Sequence, residues 1–276
     1  MSYQTVMVHL RPGEPNAGVL KVAGDLAQRF SARLVGAAGC RPIDLTYSDG
    51  FYAGEVLDQD RAEMVKELAA TEAEFRDALA NRNLVLEWRC GITFSLLPDY
   101  IAAEARCADL IVTAASTKRE LFDGTRHVDT GDLVMQAGRP VLVVPKGVDR
   151  LALEHAAICW KDSREARRAI VDALPLLKEA ARVTVVEIAP AEREQATRGQ
   201  LNDVVAWLER HGILANGLMP AVSHNDSGVL SAVLETQDAD LIVAGAYGHS
   251  RMREWAFGGV TRDLLLKSDR CTLLSH

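Results

Sequence analysis

The segment EARCADLIVTAA at 104–115 returns without a gap as ETQDADLIVAGA at 235–246, with seven of twelve positions identical and the block ADLIV intact. The same 131-residue offset carries forward to Gly131-Asp132-Leu133 against Arg262-Asp263-Leu264, and to RPVLVV at 139–144 against RCTLLS at 270–275. Toward the start of each copy the offset is about 150, pairing TVMVHL at 5–10 with HAAICW at 155–160 and ARLVGA at 32–37 with ARVTVV at 181–186. The first copy therefore holds about 19 further residues in its middle, expected within the turn-rich CRPIDLTYSDGFYAGEV at 40–56. A duplicated chain must fold as two like domains, and whatever topology suits one copy must suit the other.

Within each copy, short apolar runs alternate with longer amphipathic ones. TVMVHL, RLVGAAG, LVLEWRC, DLIVTA and PVLVVP read as strands in the first; AAICW, VTVVEIA, LANGLMPA, DLIVAG and CTLLS read as strands in the second. Their near-continuous apolar character suits strands covered on both faces. Helical spacing lies between them in GVLKVAGDLAQRF, RAEMVKELAATEAEFRDAL, SLLPDYIAAEA and TGDLVMQAG, then from Ser163 and near 192–210, 227–236 and 260–267. Strand–helix alternation predicts right-handed crossovers. The expected fold is α/β: two tandem doubly wound, five-stranded parallel-sheet (Rossmann-like) domains over 1–147 and 153–276, linked by PKGVDRLALEH at 145–155. A length of 276 residues accommodates two such domains at roughly 150 residues each.

In such sheets a ligand sits beyond the carboxyl ends of the strands, where strand order reverses. The segments following the first and fourth strands of each copy are then decisive. In the second copy the fourth strand runs into GAYGHSRMREWAFGGVTRDLLL, with glycines at 245, 248, 258 and 259. Glycine there lets a ligand approach the backbone without meeting a Cβ. Gly258-Gly259 precedes a helix start with Thr261 as a cap candidate, and free N–H groups at a helix start suit a phosphate. A tight turn with close helix packing explains the same glycines without a ligand. In the first copy these positions hold Ala114, Thr117, His127 and Val128, with Asp123, Asp129 and Asp132 adding negative charge. Side chains there would fill a phosphate space and carboxylates would repel its occupant.

Gly245-x2-Gly248-x9-Gly258, after an apolar strand and before an apolar helix and a final strand, resembles the ATP-binding signature of the universal stress protein family. The resemblance covers the whole chain and implies a tandem member, two domains forming an intramolecular pseudo-dimer in which PVLVV and CTLLS pair or pack. It implies a regulatory stress-response protein that binds ATP or ADP, with Mg, in the second copy. Gly245, Gly248, Gly258, Gly259, Val260 and Thr261 are then the phosphate-side candidates, and Trp160, Lys161 and Asp162 the ribose and base side. Two positions depart from the family pattern. Gly259 stands where the family has Ser or Thr, and Lys161 stands where it has an aspartate; a lysine cannot accept from a ribose hydroxyl. Trp160 reads either as core or as a wall for a purine ring. The alternatives are a scaffold of the same fold without nucleotide, and an enzyme using the same cleft for other chemistry. A homodimer of the chain is a further expectation.

Several classes fall away. A net charge of −7 and a pI near 5.6 argue against a general binder of the phosphate backbone, which needs a basic face, and leave room only for small local basic patches; no nucleic-acid partner is expected. No apolar run approaches the ~20 residues that span a bilayer, and no leader opens the chain, so a cytoplasmic protein is expected. Five scattered cysteines without CxxC spacing read as small buried hydrophobes in a reducing compartment. There is no GxxxxGK[ST] and no GxGxxG after either first strand, and the Gly248-His249-Ser250-Arg251-Met252 run lacks the closing glycine of a nucleophile elbow. His127 with Asp123, Asp129 and Asp132 is not spaced to share one face as a metal cluster. With no assigned base or metal clamp, any ATP hydrolysis is expected to be slow.

Overall fold

The computed structural model describes residues 2–43, 53–115, 124–188, 194–220, 226–246 and 268–276. The chain divides into two compact units, Tyr3–Arg139 and Pro140–His276. In the first, β1 (Thr5–His9), α1 (Ala17–Phe30), β2 (Arg33–Cys40), α2 (Ala53–Leu79), β3 (Leu86–Ile92), α3 (Leu97–Glu104), β4 (Leu110–Ala114) and α4 (Thr130–Ala137) follow in turn. Its strands lie in the order β3-β2-β1-β4, all parallel. Val6, Met7 and Val8 of β1 and Leu110, Ile111 and Val112 of β4 are fully buried. Each such side chain contributes about 1.5–3 kcal/mol of transfer free energy, which explains why these runs carry almost no polar residue.

The second unit contains β5 (Val141–Val144), β6 (His155–Trp160), α5 (Arg164–Asp172), α6 (Leu174–Glu179), β7 (Arg182–Glu187), α7 (Glu194–Arg210), β8 (Ala215–Leu218), α8 (Asp226–Thr236), β9 (Leu241–Gly245) and β10 (Cys271–Ser275). The strand order is β5-β10-β9-β6-β7-β8. Neighbours from β10 to β8 are parallel, while β5 meets β10 antiparallel through Leu142↔Leu273. The last strand of the first sequence copy thus pairs with the last strand of the second. The compact unit begins at Pro140, ahead of that strand, whereas the repeat in the sequence runs to 147.

The copies differ where local chemistry differs. One helix of 14 residues follows β1, but the equivalent stretch after β6 is broken into α5 and α6. Pro175, in the first turn of α6, lacks the N–H that would continue α5. The extra residues of the first copy are partly helical: α2 spans 27 residues against 17 in α7, and it takes in the end of the segment expected to be an irregular insertion. Residues 44–52 of that segment, and the helix expected at 260–267, lie outside the described residues. All five cysteines are free; Cys40 and Cys271 are buried as expected, but Cys90 and Cys107 are exposed, on an edge strand and in the short helical turn after α3. No helix among the described residues is long and apolar enough to cross a membrane.

The identity of ADLIV in both copies has a structural cause. Asp109 Oδ2 accepts from the backbone N–H groups of Gln4 (2.7 Å) and Thr5 (2.9 Å). Asp240 repeats this, its two oxygens accepting from Glu154 and His155, each at 3.1 Å. Each carboxylate ties the start of a copy's fourth strand to the start of its first. Asp109→Ala and Asp240→Ala are each expected to destabilise their own unit by about 1–3 kcal/mol, read as a lower denaturant midpoint at neutral pH.

Candidate functional site

Both copies reverse strand order beside their first strand, β1 in one and β6 in the other. The chain moves from β1 to β2 and β3 on one side and returns to β4 on the other; it moves from β6 to β7 and β8 and returns to β9. The two crevices open between the carboxyl ends of β1 and β4 and between those of β6 and β9. Their contents differ.

In the first unit Arg11 follows β1 and is 6% exposed. Its Nη2 donates to the carbonyl of Ala114 at the end of β4 over 2.6 Å, and its Nη1 pairs with Glu14 at 3.4 Å. The guanidinium therefore spans the reversal point from strand to strand. Its backbone N–H donates to Asn16 Oδ1, while Asn16 Nδ2 donates to the carbonyls of Arg11 and Glu14 and to Glu74. The turn that carries the arginine is thereby fixed. Arg126, between β4 and α4, donates to Glu67 (2.6 Å) and Asp60 (3.1 Å) on α2 and binds this loop down. Burial, opposed by the nearby Arg126 charge, pushes the Cys40 thiol up to about 11, so it stays protonated. Asp129, read from the sequence as a source of repulsion, caps α4 by accepting from Asp132 N at 2.9 Å. Among the described residues no group of three His, Cys, Asp or Glu side chains is placed to hold a metal, and Asp123 lies outside them.

In the second unit β6 leads through Lys161, Asp162 and Ser163 directly into α5. Ser163 caps that helix, its Oγ accepting from Ala166 N at 3.3 Å. Three residues separate β6 from α5, which begins at Arg164, whereas seven, Leu10–Asn16, separate β1 from α1, which begins at Ala17. The short turn carries the first turn of α5 onto the end of β9. A Cβ on Gly245 would stand 2.5 Å from Ala166 N and 2.6 Å from the Glu165 carbonyl carbon. Close helix packing is thus sufficient to require glycine at 245. Ala114, its counterpart, carries a Cβ beside a helix that starts farther along.

Lys161 occupies the position of Arg11 by the 150-residue offset, yet it is exposed and its ammonium has no partner among the described residues. Asp162 is paired with Arg167 at 2.7 Å. Trp160, at 9% exposure, is largely core, but its buried indole N–H has no acceptor. Glu187, at the end of β7 and in register with Trp160, is 6% exposed and its Oε2 has no donor. Paired residues of parallel strands face the same side of a sheet, so the two orphaned atoms belong to one locality. Burial, reinforced by the Asp162 charge, raises the Glu187 carboxyl to about 7. Glu165 behaves oppositely: burial opposes its ionisation, but its backbone N–H and Arg164 outweigh this and hold it below the ordinary value.

A carboxyl whose folded pKa is raised binds its proton more tightly in the folded state. Its ionisation weakens the fold as pH climbs from about 4.5 to 7. Glu187→Gln is expected to stabilise the second unit above pH 7, on the order of 2 kcal/mol, with the gain vanishing below the unfolded carboxylate pKa. Denaturant titrations at acid and alkaline pH measure it.

Of the residues singled out in the sequence, Gly245, Trp160, Lys161 and Asp162 come together around the β6–β9 crevice. Gly248, Gly258, Gly259, Val260 and Thr261 lie outside the described residues. Glu187 and the bridging role of Arg11 were not singled out. A charged residue closing the apolar run VTVVE was the available signal for the first, and an arginine directly after TVMVHL for the second.

No protein-family model matches the sequence, and no curated protein matches it. Solved structures do. The chain is similar to a universal stress protein from Archaeoglobus fulgidus DSM 4304, with 14% identity and a TM-score of 0.75 over 98% of this chain and 95% of that one. It is also similar to a functionally unknown protein from Pseudomonas aeruginosa PAO1, with 13% identity and a TM-score of 0.59 over 99% of this chain and 92% of that one. The chain has the universal stress protein fold along its whole length.

Proposed function

We propose that the chain is a tandem universal stress protein, with copies at 1–147 and 153–276, whose second copy binds an adenine nucleotide and serves a regulatory role in a stress response. The observation that carries this reading is the contrast between the two crevices. Arg11 bridges the first from the end of β1 to the Ala114 carbonyl, whereas the ammonium of the equivalent Lys161 has no partner among the described residues at the second. The fit of a nucleotide to the second crevice is supported by a cation for phosphate that has no partner among the described residues, near a buried indole N–H without acceptor and a buried carboxyl oxygen without donor; at the first crevice the orphaned atom is a further donor, Arg11 Nε. Mg would accompany the phosphates. Gly248, Gly258, Gly259, Val260 and Thr261 would supply the phosphate-side backbone in this reading, while the packing of α5 accounts for Gly245.

Equilibrium binding of ATP with magnesium to the full chain tests it. Gly248→Val is expected to weaken binding at least tenfold, since a branched side chain would occupy the phosphate path. A wild-type chain that binds no nucleotide would instead support a scaffold role for the fold.

A further inference from the structure

β3 is the outer strand of the first unit, and among the described residues no strand pairs beyond it. In a parallel ladder alternate residues turn both backbone groups toward the same neighbour. The Val85 carbonyl accepts from Leu34 N (3.0 Å) and Thr93 N donates to the Cys40 carbonyl (2.9 Å), so the odd-numbered residues of β3 face β2. Leu86, Trp88, Cys90 and Ile92 therefore turn their N–H and C=O groups outward. A strand edge of this length is normally guarded by lysine, proline or a bulge. β3 carries neither residue, and its register with β2 runs unbroken from Leu86 to Ile92. Its two charges are held within the chain: Glu87 accepts from Arg33 (3.2 Å) and Arg89 (2.8 Å), and Arg89 donates to the Glu104 carbonyl (2.8 Å). Apolar side chains stand open at both ends of the strand, Val85 at 63%, Phe94 at 82% and Leu96 at 58% exposure. β8, the outer strand of the second unit, has only four residues.

We infer that β3 is a self-association edge, where a second copy of this chain pairs its own β3 antiparallel about a two-fold axis at Cys90. A two-fold axis normal to the sheet keeps like faces together, and the outward backbone groups of Cys90 make the central pair a hydrogen-bonded one. Cys90 then meets Cys90 of the second copy, Trp88 meets Ile92, and Leu86 meets Phe94. Apolar side chains thus oppose apolar ones along the face on which Trp88 and Ile92 pack beneath α2 with Met64 and Leu68. Cross-strand pairs of this kind are what stabilise an antiparallel ladder. Other registers serve the edge less well. An axis at Trp88 sets Phe94 opposite Arg82, whose guanidinium is already held by Asp25 at 2.6 Å. An axis at Ile92 runs the ladder into α3, which starts at Leu97. The edge lies apart from both crevices, so this association and nucleotide binding stand or fall separately.

Sedimentation equilibrium of the full chain over a concentration series, with thiol crosslinking, tests it. Cys90→Lys, which sets two ammonium groups against each other at the axis, is expected to halve the wild-type assembly mass. Phe94→Ala is expected to raise the dissociation constant about tenfold or more, as truncating an aromatic anchor does. In Cys107→Ser, where Cys90 is the one exposed thiol, a short bismaleimide is expected to join two chains; in Cys90→Ser it is not. Cα atoms of a hydrogen-bonded antiparallel pair lie about 5.5 Å apart, whereas an axis at Trp88 would set the two cysteines roughly 14 Å apart along the strand. Cys90 and Phe94 are exposed, so both variants are expected to keep the wild-type melting temperature at dilutions where the chains are separate. If Cys90→Lys does not fold, Phe94→Ala and the crosslink decide the matter. A wild-type chain that is monomeric at every concentration, a folded Cys90→Lys chain of wild-type mass, or the absence of a Cys90 crosslink overturns the inference.

Discussion

Gly245→Ala is expected to destabilise the second unit by roughly 3 kcal/mol, the upper part of the range for overpacking a well-filled site. The added methyl would meet Ala166 N at 2.5 Å and the Glu165 carbonyl carbon at 2.6 Å. Both are backbone atoms in the first turn of α5, so no rotamer change can relieve the contact. Relief requires moving α5, which packs on β9 and β10 and buries Ala166, Ala169 and Ile170. Denaturant unfolding followed by Trp160 and Trp207 fluorescence reads the loss. Ala114→Gly, the reciprocal change in the first unit, is expected to cost under about 1 kcal/mol, since it only loosens the chain. Equal effects at 114 and 245 would show that the shorter β6–α5 turn is not what demands glycine.

Acid is expected to weaken the first unit through His9. That ring is 2% exposed, and its Nδ1 lies 2.9 Å from Thr113 Oγ1 across the β1–β4 pair. Burial, with the charges of Arg11 and His127, lowers its pKa from 6.5 to about 3. A base with a depressed folded pKa contributes full stability above its unfolded value. That stability is lost as pH falls from 6.5 to about 3, because the unfolded chain takes up the proton first. The loss at pH 3 is roughly 4 kcal/mol by the usual linkage of about 1.36 kcal/mol per unit. Carboxylates titrate in the same window, so the measurement is the difference between the wild type and His9→Asn, which keeps a polar atom near Nδ1 and cannot be protonated there. The two stability curves should converge as pH falls. Parallel curves would contradict a buried, proton-resisting His9.

The duplication made the architecture legible, because two copies of one apolar rhythm constrain each other and strands buried on both faces leave an almost unbroken apolar record. DLIVTA and DLIVAG became β4 and β9, and the strand that closes each copy became half of the β5–β10 pair. Helix boundaries were less legible. α2 extends back to Ala53, into the turn-rich stretch expected to be irregular, and Pro175 divides one expected helix into two. At the site, sequence spacing drew attention to glycines but could not reveal how close α5 comes to Gly245. That approach depends on the length of a turn in another part of the chain. Nor could it show that Arg11 reaches the Ala114 carbonyl, or that Trp160 and Glu187, separated by a helical crossover, end on the same sheet edge.

Calorimetric titration of ATP with magnesium into the full chain, fitted for the number of sites, is the most direct measurement. One site per chain is the expected result, with the first crevice bridged by Arg11 and the second available. Two sites per chain would contradict the assignment of the first crevice as closed, and no site, with no thermal stabilisation at saturating nucleotide, would contradict nucleotide binding altogether.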